Sequence, residues 1–257
     1  MNILCIGDIV GKSGRNFINT RLPKLIQEYK IDFVVANGEN VAHGVGITKN
    51  TYDELVYAGV DVITLGNHTW AKREVLEFIN DKANLIRPAN FPTNNPGNGY
   101  TIVEKAGKRV AVINLVGRVY MESYDCPFKK VDEILSKIED QADIIIVDFH
   151  AEATSEKLAM GWYLDGRVAA VFGTHTHVQT SDERLMPQGT AYITDVGMTG
   201  PYNSILGVEK DIIIKKFVTL MPGKFEVADG FAIFTAILLE ADDNKAVSIK
   251  RLNILEE

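Results

Sequence analysis

The stretch Val168-Ala169-Ala170-Val171-Phe172-Gly173-Thr174-His175-Thr176-His177 joins an apolar run to two histidines that are two residues apart. The apolar run predicts a buried strand, and the histidine pair lies just past its carboxyl end. At a strand end the backbone turns and can aim both rings into one site, as metal binding requires. A histidine pair alone is a moderate signal, because such pairs also occur as ordinary polar clusters.

The same arrangement recurs at four further apolar runs of the chain. Each run predicts a strand, and each is followed by an acid, an asparagine or a histidine. Because the active sites of parallel sheets lie beyond the carboxyl ends of their strands, this repetition predicts a shared site rather than packing alone. The runs and their polar residues are 3–6 with Asp8, 33–36 with Glu39 and Asn40, 62–65 with Asn67 and His68, and 144–149 with His150.

Strand-like and helix-like patterns alternate along most of the chain, which is the βαβ signature of a parallel sheet. The predicted fold is a single α/β domain over residues 1–257, with two sheets packed face to face and helices outside. Thr48 is the expected N-cap of the second helix. Predicted helices span 14–29, 49–58, 72–79, 128–140 and 155–163. Predicted strands span 2–7, 32–36, 61–65, 100–104, 109–115, 143–149 and 168–172, with a hairpin turn at 105–108.

The C-terminal part, from Ala191 onward, shows a different pattern. It predicts strands at 191–195, 212–219, 231–240 and 246–253, with no clear helix.

Composition excludes several classes of protein. A net charge of -7 over 257 residues does not favour a broad nucleic-acid or anionic-membrane surface. Cys5 and Cys126 are far apart and predict unpaired thiols rather than a disulfide framework. The sequence pattern predicts neither a cleavable apolar leader nor a membrane-spanning segment. We therefore expect a cytoplasmic protein with no membrane partner and no stable nucleic-acid complex, and the sequence leaves open whether copies of the chain assemble.

The strand-end side chains form a candidate site for two metal ions. Borderline metals such as Fe, Mn and Zn accept imidazole nitrogen and carboxylate oxygen together. Two metals about 3.5–4 Å apart can hold a hydroxide between them and clamp phosphoryl oxygens during an in-line displacement. His68 would point into the same cavity, as a general acid that protonates the leaving oxygen. The candidate ligands are Asp8, Glu39, Asn40, Asn67, His150, His175 and His177.

At these residues the chain resembles the calcineurin-like metallophosphoesterases, which carry five strand-end motifs in this order. The resemblance implies a four-layer α/β/β/α sandwich of two mixed sheets flanked by helices. Two positions depart from the usual pattern. The stretch Asp8-Ile9-Val10 lacks the histidine of an Asp-x-His motif, and Glu39 replaces the usual bridging aspartate. The motifs read Gly7-Asp8, Gly38-Glu39-Asn40, Gly66-Asn67-His68, His150 and Gly173-Thr174-His175-Thr176-His177.

These departures, together with the runs 148–157 and 189–201, are similar to one branch, the YmdB-type phosphodiesterases. That resemblance covers essentially the whole chain. It implies hydrolysis of small 2′,3′-cyclic nucleotides, with cleavage of the 2′ bond and a 3′-nucleotide as product. It also implies a dinuclear centre, typically of iron, with Mn and Zn as alternatives, and His68 as proton donor. By motif, Asp8, Glu39, Asn40 and His177 would hold one metal, and Glu39, Asn67, His150 and His175 the other.

Other interpretations stay open beside this one. Asp8 can cap the helix that follows it, and Asn67-His68 after a glycine is also typical of a turn. The stretch 7–13 has one residue fewer between its glycines than a P-loop requires, so that motif is excluded. The enzymatic alternative is a phosphatase or phosphodiesterase of the same superfamily that acts on another small phosphate ester. The alternative outside enzymes is a regulatory protein that senses a nucleotide with little turnover, and the complete ligand set opposes it.

Overall fold

The structure, a computed structural model, describes residues 1–256 and arranges them as two mixed sheets flanked by helices. The helices are α1 (Gly11–Glu28), α2 (Lys49–Tyr57), α3 (Val75–Phe78), α4 (Pro127–Ile138), α5 (Thr154–Leu164) and α6 (Lys210–Thr219), and a 3-10 turn, Ile79–Asp81, follows α3.

The first sheet gathers strands from both ends of the chain. They are β1 (Asn2–Ile9), β2 (Phe33–Asn37), β3 (Val62–Thr64), β4 (Leu85–Ile86), β11 (Met198–Pro201), β12 (Ala232–Asp242) and β13 (Lys245–Leu255). Their spatial order is β13-β12-β11-β1-β2-β3-β4. β1 to β4 and β11 run parallel, and β12 and β13 are antiparallel additions.

The second sheet is built from the middle of the chain. Its strands are β5 (Tyr100–Lys105), β6 (Lys108–Val116), β7 (Ile144–His150), β8 (Ala170–Thr174), β9 (Arg184–Leu185) and β10 (Ala191–Ile193). Their spatial order is β5-β6-β7-β8-β10-β9. The central pairs β6–β7, β7–β8 and β8–β10 are parallel, so the carboxyl ends of these strands share one edge.

The period-two alternation of the strands divides the apolar side chains between layers. In β1, Leu4 and Ile6 pack in the cluster that includes residues of α1 and α2. Ile3 and Cys5 pack on the opposite face, against residues of the second sheet. A further cluster joins the second sheet to α4 and α5. The predicted four-layer α/β/β/α order, with two mixed sheets flanked by helices, is therefore confirmed.

Two local predictions, the helix cap and the hairpin turn, are also confirmed. Thr48 caps α2, and its hydroxyl accepts a hydrogen bond from the backbone N–H of Thr51. The predicted hairpin joins β5 to β6 through Ala106 and Gly107, both with positive φ. Positive φ at both central residues is typical of the tight turn whose twist matches the adjoining strands.

The predicted strand at 212–219 is wrong, because this segment belongs to helix α6. A run of three isoleucines, Ile212 to Ile214, favours extended structure locally. A helix, however, satisfies its backbone hydrogen bonds within the segment, whereas a strand needs a neighbour. The helix ends at Leu220, which is in the left-handed conformation. The short strands β4, β9 and β11 were not predicted, since two to four residues carry too little periodicity.

Among the helices of residues 1–256, none combines the length and the apolar character needed to cross a membrane.

Candidate metal centre

The structure brings all the predicted site residues to one edge of the two sheets. β1, β2 and β3 are parallel neighbours in the first sheet, and β7 and β8 are parallel neighbours in the second. Because their carboxyl ends point the same way, the segments that follow these strands meet. Asp8 lies within β1, Glu39 and Asn40 follow β2, Asn67 and His68 follow β3, His150 ends β7, and His175 and His177 follow β8.

One group of donor atoms surrounds Nε2 of His150. It lies 3.0 Å from Oδ1 of Asn67, 3.0 Å from Nδ1 of His175 and 3.2 Å from Oε1 of Glu39. One ligand atom from each of Glu39, His150 and His175 falls within 4.8 Å of the others. These four side chains therefore present nitrogen and oxygen donors to one point.

The charge balance of this group depends on His150. Burial opposes a charge on His150, but the carboxylates of Glu39, Asp8 and Asp148 together outweigh burial and raise the pKa of His150 to about 9. Burial lowers the pKa of His175 to about 4, and the neighbouring His150 acts in the same direction. In the protein alone, a proton on His150 balances the buried carboxylate. A cation among the same atoms would supply that positive charge instead.

A second group lies beside the first and shares Glu39 with it. Nε2 of His177 is 3.6 Å from Oδ1 of Asp8. The amide nitrogen of Asn40 lies 3.2 Å from Nε2 of His177, and it donates to Asp8 over 3.4 Å and to Glu39 over 3.2 Å. For Asn40 to bind a metal through its amide oxygen, the amide group would have to flip so that the oxygen takes the place of the nitrogen.

Hydrogen bonds from outside the site orient the two histidines of the β8 loop. Nε2 of His175 lies 3.0 Å from the carboxylate of Glu152, which leaves Nδ1 facing inward. Nδ1 of His177 lies 3.0 Å from the carbonyl oxygen of Leu206, which leaves Nε2 facing inward. Imidazoles that ligate metals are characteristically held in this way through the other ring nitrogen. The donor set and its orientation thus fit borderline cations.

His150 is oriented by a buried relay. Its Nδ1 lies 2.9 Å from the hydroxyl of Thr174, and that hydroxyl donates to Asp148 over 2.7 Å. Asp148 also accepts from the hydroxyl of Thr64 over 2.5 Å. Burial raises the pKa of Asp148 to about 6. No local pattern marks Thr64 or Thr174 as a member of this relay, because Thr64 reaches Asp148 from the other sheet and Thr174 reaches His150 from the neighbouring strand β8.

The loop between His175 and His177 is held by a buried ion pair. Both histidines have positive φ, which non-glycine residues rarely adopt. Asp195 accepts from the backbone N–H of Thr176 over 3.1 Å and from its hydroxyl over 2.6 Å. Lys157, from α5, donates to the same carboxylate over 2.6 Å. Sequence reasoning missed this pair, because nothing local marks a lysine in α5 as a partner of the loop.

Gly66 lets β3 approach the donor atoms closely. A Cβ at this position would lie 2.4 Å from Oε2 of Glu39 and 2.5 Å from Nε2 of His150. A side chain here would therefore displace two candidate ligands.

His68 lines the cavity and also contacts the donor groups, since its Nδ1 lies 3.4 Å from Oε1 of Glu39. Its backbone N–H donates to Oε2 of Glu39 over 2.9 Å, and its Nδ1 lies 2.9 Å from Oδ1 of Asn40. Its side chain is 41% exposed, whereas that of Glu39 is 1% exposed. His43, from the loop after Asn40, lines the same cavity.

Comparison with known proteins gives one consistent family. A family model described as YmdB-like protein matches residues 4–252. The whole chain is 52% identical to a 2′,3′-cyclic-nucleotide 2′-phosphodiesterase of Bacillus subtilis, of which it covers 98%. A crystal structure of a hypothetical protein from Thermus thermophilus is 41% identical with a TM-score of 0.95, and each chain covers 100% of the other. A novel phosphatase of Mycoplasma pneumoniae is 37% identical with a TM-score of 0.94, and 100% of this chain and 94% of that one are covered.

Proposed function

The chain belongs to the YmdB-like family, and from that membership we propose that it hydrolyses 2′,3′-cyclic nucleotides. The 2′ bond would be cleaved, and a 3′-nucleotide would be the product. The observation that carries the proposal is the convergence of the predicted ligands on two adjoining donor groups, with His68 beside both. The Bacillus subtilis relative, which has this activity by name, supports the choice of substrate.

Two metal ions would be held by the two donor groups. Asp8, Glu39, Asn40 and His177 would bind one, and Glu39, Asn67, His150 and His175 the other. When bound, such a pair activates the attacking water and neutralises charge on the phosphoryl oxygens. Iron is the expected metal by family resemblance, with Mn and Zn as alternatives.

The protein's own residues would position the reaction and supply the proton. His68 lies at the cavity wall next to Asn40, where it would protonate the ribose oxygen as the 2′ bond breaks. Glu152, Leu206 and Thr174 hold the outer nitrogens of the three candidate histidine ligands, so the inner nitrogens keep their directions. A site organised in this way favours turnover over mere sensing of a nucleotide.

The test is product analysis on 2′,3′-cyclic AMP with protein purified without chelator, together with elemental analysis. We expect 3′-AMP as the product and a metal content close to two ions per chain. The chelated protein and His175→Ala are the controls, and both should be inactive. Because the Mycoplasma pneumoniae neighbour is described as a phosphatase, 5′-AMP is included as a phosphomonoester. Formation of 2′-AMP, or faster release of phosphate from 5′-AMP, would contradict the proposal.

A further inference from the structure

Two cavities flank the candidate metal centre, and His68 lines one of them. The first has a volume of about 450 Å³ and is bordered by Asn40, His68 and His177. The second, of about 400 Å³, lies on the side of Asn67. Either volume lies in the range of cavities that hold small ligands. Both cavities are therefore large enough for the nucleoside.

The bonds of the substrate, together with the proposed role of His68, place the nucleoside on the side of His68. In a 2′,3′-cyclic nucleotide the leaving oxygen is bonded to C2′, and C2′ is bonded to C1′, which carries the base. A general acid must come within hydrogen-bonding distance of the oxygen that it protonates. If His68 protonates the 2′ oxygen, the base is only two bonds from the carbon that carries that oxygen. The base would then lie in the first cavity, because His68 lines that cavity and not the second.

One wall of the first cavity is apolar and open to solvent. It consists of Leu206, Val208, Phe225 and Val227, together called the apolar wall. Leu206 is 48% exposed and Phe225 is 51% exposed. Exposed apolar side chains grouped beside a polar centre are characteristic of a ligand-binding surface.

The apolar wall is held in place by the backbone. Val208 and Val227 form a β-bridge, and the N–H of Ala228 donates to the carbonyl of Gly207 over 3.0 Å. Val227 also packs closely on Gly44, where a Cβ would lie 2.4 Å from its methyl group. The carbonyl of Leu206, in turn, holds His177. The wall and the metal centre therefore form one connected unit.

The aromatic residues of the second cavity are already engaged with one another. The ring of Phe91 stacks on that of Tyr124 with centroids 5.0 Å apart, and it lies 6.1 Å from the ring of Trp70. Phe91 is 2% exposed and so offers little surface to a base, whereas Phe225 is 51% exposed, with the ammonium group of Lys216 4.6 Å from the centroid of its ring.

We propose that the apolar wall, with Phe225 as its aromatic member, is the nucleobase subsite of this enzyme. This inference rests on the proposed function. Contact with aliphatic side chains and one aromatic ring tolerates any base, because every base has an apolar face. Recognition by this wall would therefore contribute to substrate affinity more than to the choice among bases.

The test measures steady-state kinetics of Phe225→Ala on two substrates. One is 2′,3′-cyclic AMP, and the other is glycerol 1,2-cyclic phosphate, which has a similar strained ring but no base. The variant should raise KM for the nucleotide roughly 5- to 20-fold, in the lower part of the range for aromatic residues that stack on bases. The kcat for the nucleotide and the kcat/KM for the glycerol ester should stay unchanged, because the reacting atoms are untouched.

Two matched variants complete the experiment. Phe217→Ala makes the same chemical change on α6, where the ring is 73% exposed, and should leave KM unchanged. Tyr124→Ala removes a ring of the second cavity and should also leave KM unchanged. The inference is overturned if Phe225→Ala leaves KM for the nucleotide unchanged or lowers kcat/KM equally for both substrates. It is also overturned if Tyr124→Ala raises KM for the nucleotide instead. If the wild type hydrolyses the glycerol ester but not the nucleotide, or neither of them, the proposed function fails and the inference fails with it.

Discussion

Among single residues, Glu39 is the one that the two donor groups share. It is fully buried, and burial alone would raise its pKa. His150 and His68 nevertheless hold the pKa of Glu39 well below its usual range. The carboxylate is therefore charged in the folded protein, and a buried charge of this kind requires a positive partner. In the protein alone that partner is His150, and with metal bound it would be the cations.

The shared position of Glu39 predicts a larger effect on metal binding than any ligand of one group. Glu39→Gln should lose most of both metal ions, because a neutral amide oxygen replaces an anionic donor at the junction. Asp8→Asn and His150→Ala should each lose mainly one ion. Elemental analysis of the three purified variants gives the comparison. Full metal content in Glu39→Gln would show that this carboxylate does not bridge.

His68 should matter in proportion to how much the leaving group needs a proton. A ribose alkoxide is a poor leaving group, whereas p-nitrophenolate needs little help. His68→Ala should therefore lose roughly 10²–10⁴-fold in rate on 2′,3′-cyclic AMP, the usual range for general acid catalysis. It should lose much less on bis-p-nitrophenyl phosphate and should keep its metals. Equal losses in rate on both substrates, or loss of bound metal, would contradict a role of His68 as proton donor.

At the scale of elements, the segments after β3 and β8 must come close together for the donor groups to form. Gly66, at the end of β3, allows the segment after β3 to come close to Glu39 and His150. Lys157 in α5 and Asp195 after β10 hold the loop that follows β8. Each of these features joins elements that are distant in the chain.

Gly66→Ala should disturb the site without unfolding the protein. The added methyl group would meet Glu39 and His150 at distances that real contacts do not reach. We expect a large loss of bound metal with nearly unchanged circular dichroism. Gly223→Ala is the control, because its Cβ would meet only Ile212, at 3.7 Å. Retention of full metal content by Gly66→Ala would mean that the two ligands can move apart freely.

Removing the buried cation from α5 should cost stability. Lys157→Met keeps the length of the side chain but leaves the carboxylate of Asp195 buried without its ion pair. Loss of one partner from a buried pair typically costs roughly 3–5 kcal/mol. Urea unfolding of the metal-free protein measures the change, and Lys108→Met, from an exposed pair with Asp243, should change stability little. A similar small effect for both variants would show that Asp195 is satisfied by its other donors.

At the scale of the whole molecule, the apolar layer between the two sheets brings the halves of the site together. Ile3 and Phe33 of the first sheet share this layer with Val110 and Ile146 of the second. Packing here sets the distance between β2 and β7, and so the distance between Glu39 and His150. The site therefore depends on the core as a whole.

Cys5 reports on the integrity of this layer. Its side chain is fully buried, and burial raises the pKa of its thiol. In the native protein only Cys126 should react with a thiol-specific chromogenic reagent, and Cys5 should react after denaturation. Reductant should leave the thermal midpoint unchanged, since both cysteines are free thiols within residues 1–256. A mass shift of the intact protein on reduction would indicate a disulfide and would contradict this prediction.

The sequence by itself determined the polar residues at the strand ends and most of the helices and strands between them. These depend on local patterns, namely apolar periodicity and the residues that end each run. Local pattern failed at α6, where a β-branched run favours a strand although the chain forms a helix. Only the tertiary structure decided that Lys157 pairs with Asp195, that Thr174 links His150 to Asp148, and that Phe225 lies in the cavity of His68. The physical reason is that these contacts join different elements of the chain, and strand pairing and packing between elements, which no single segment encodes, set their distances.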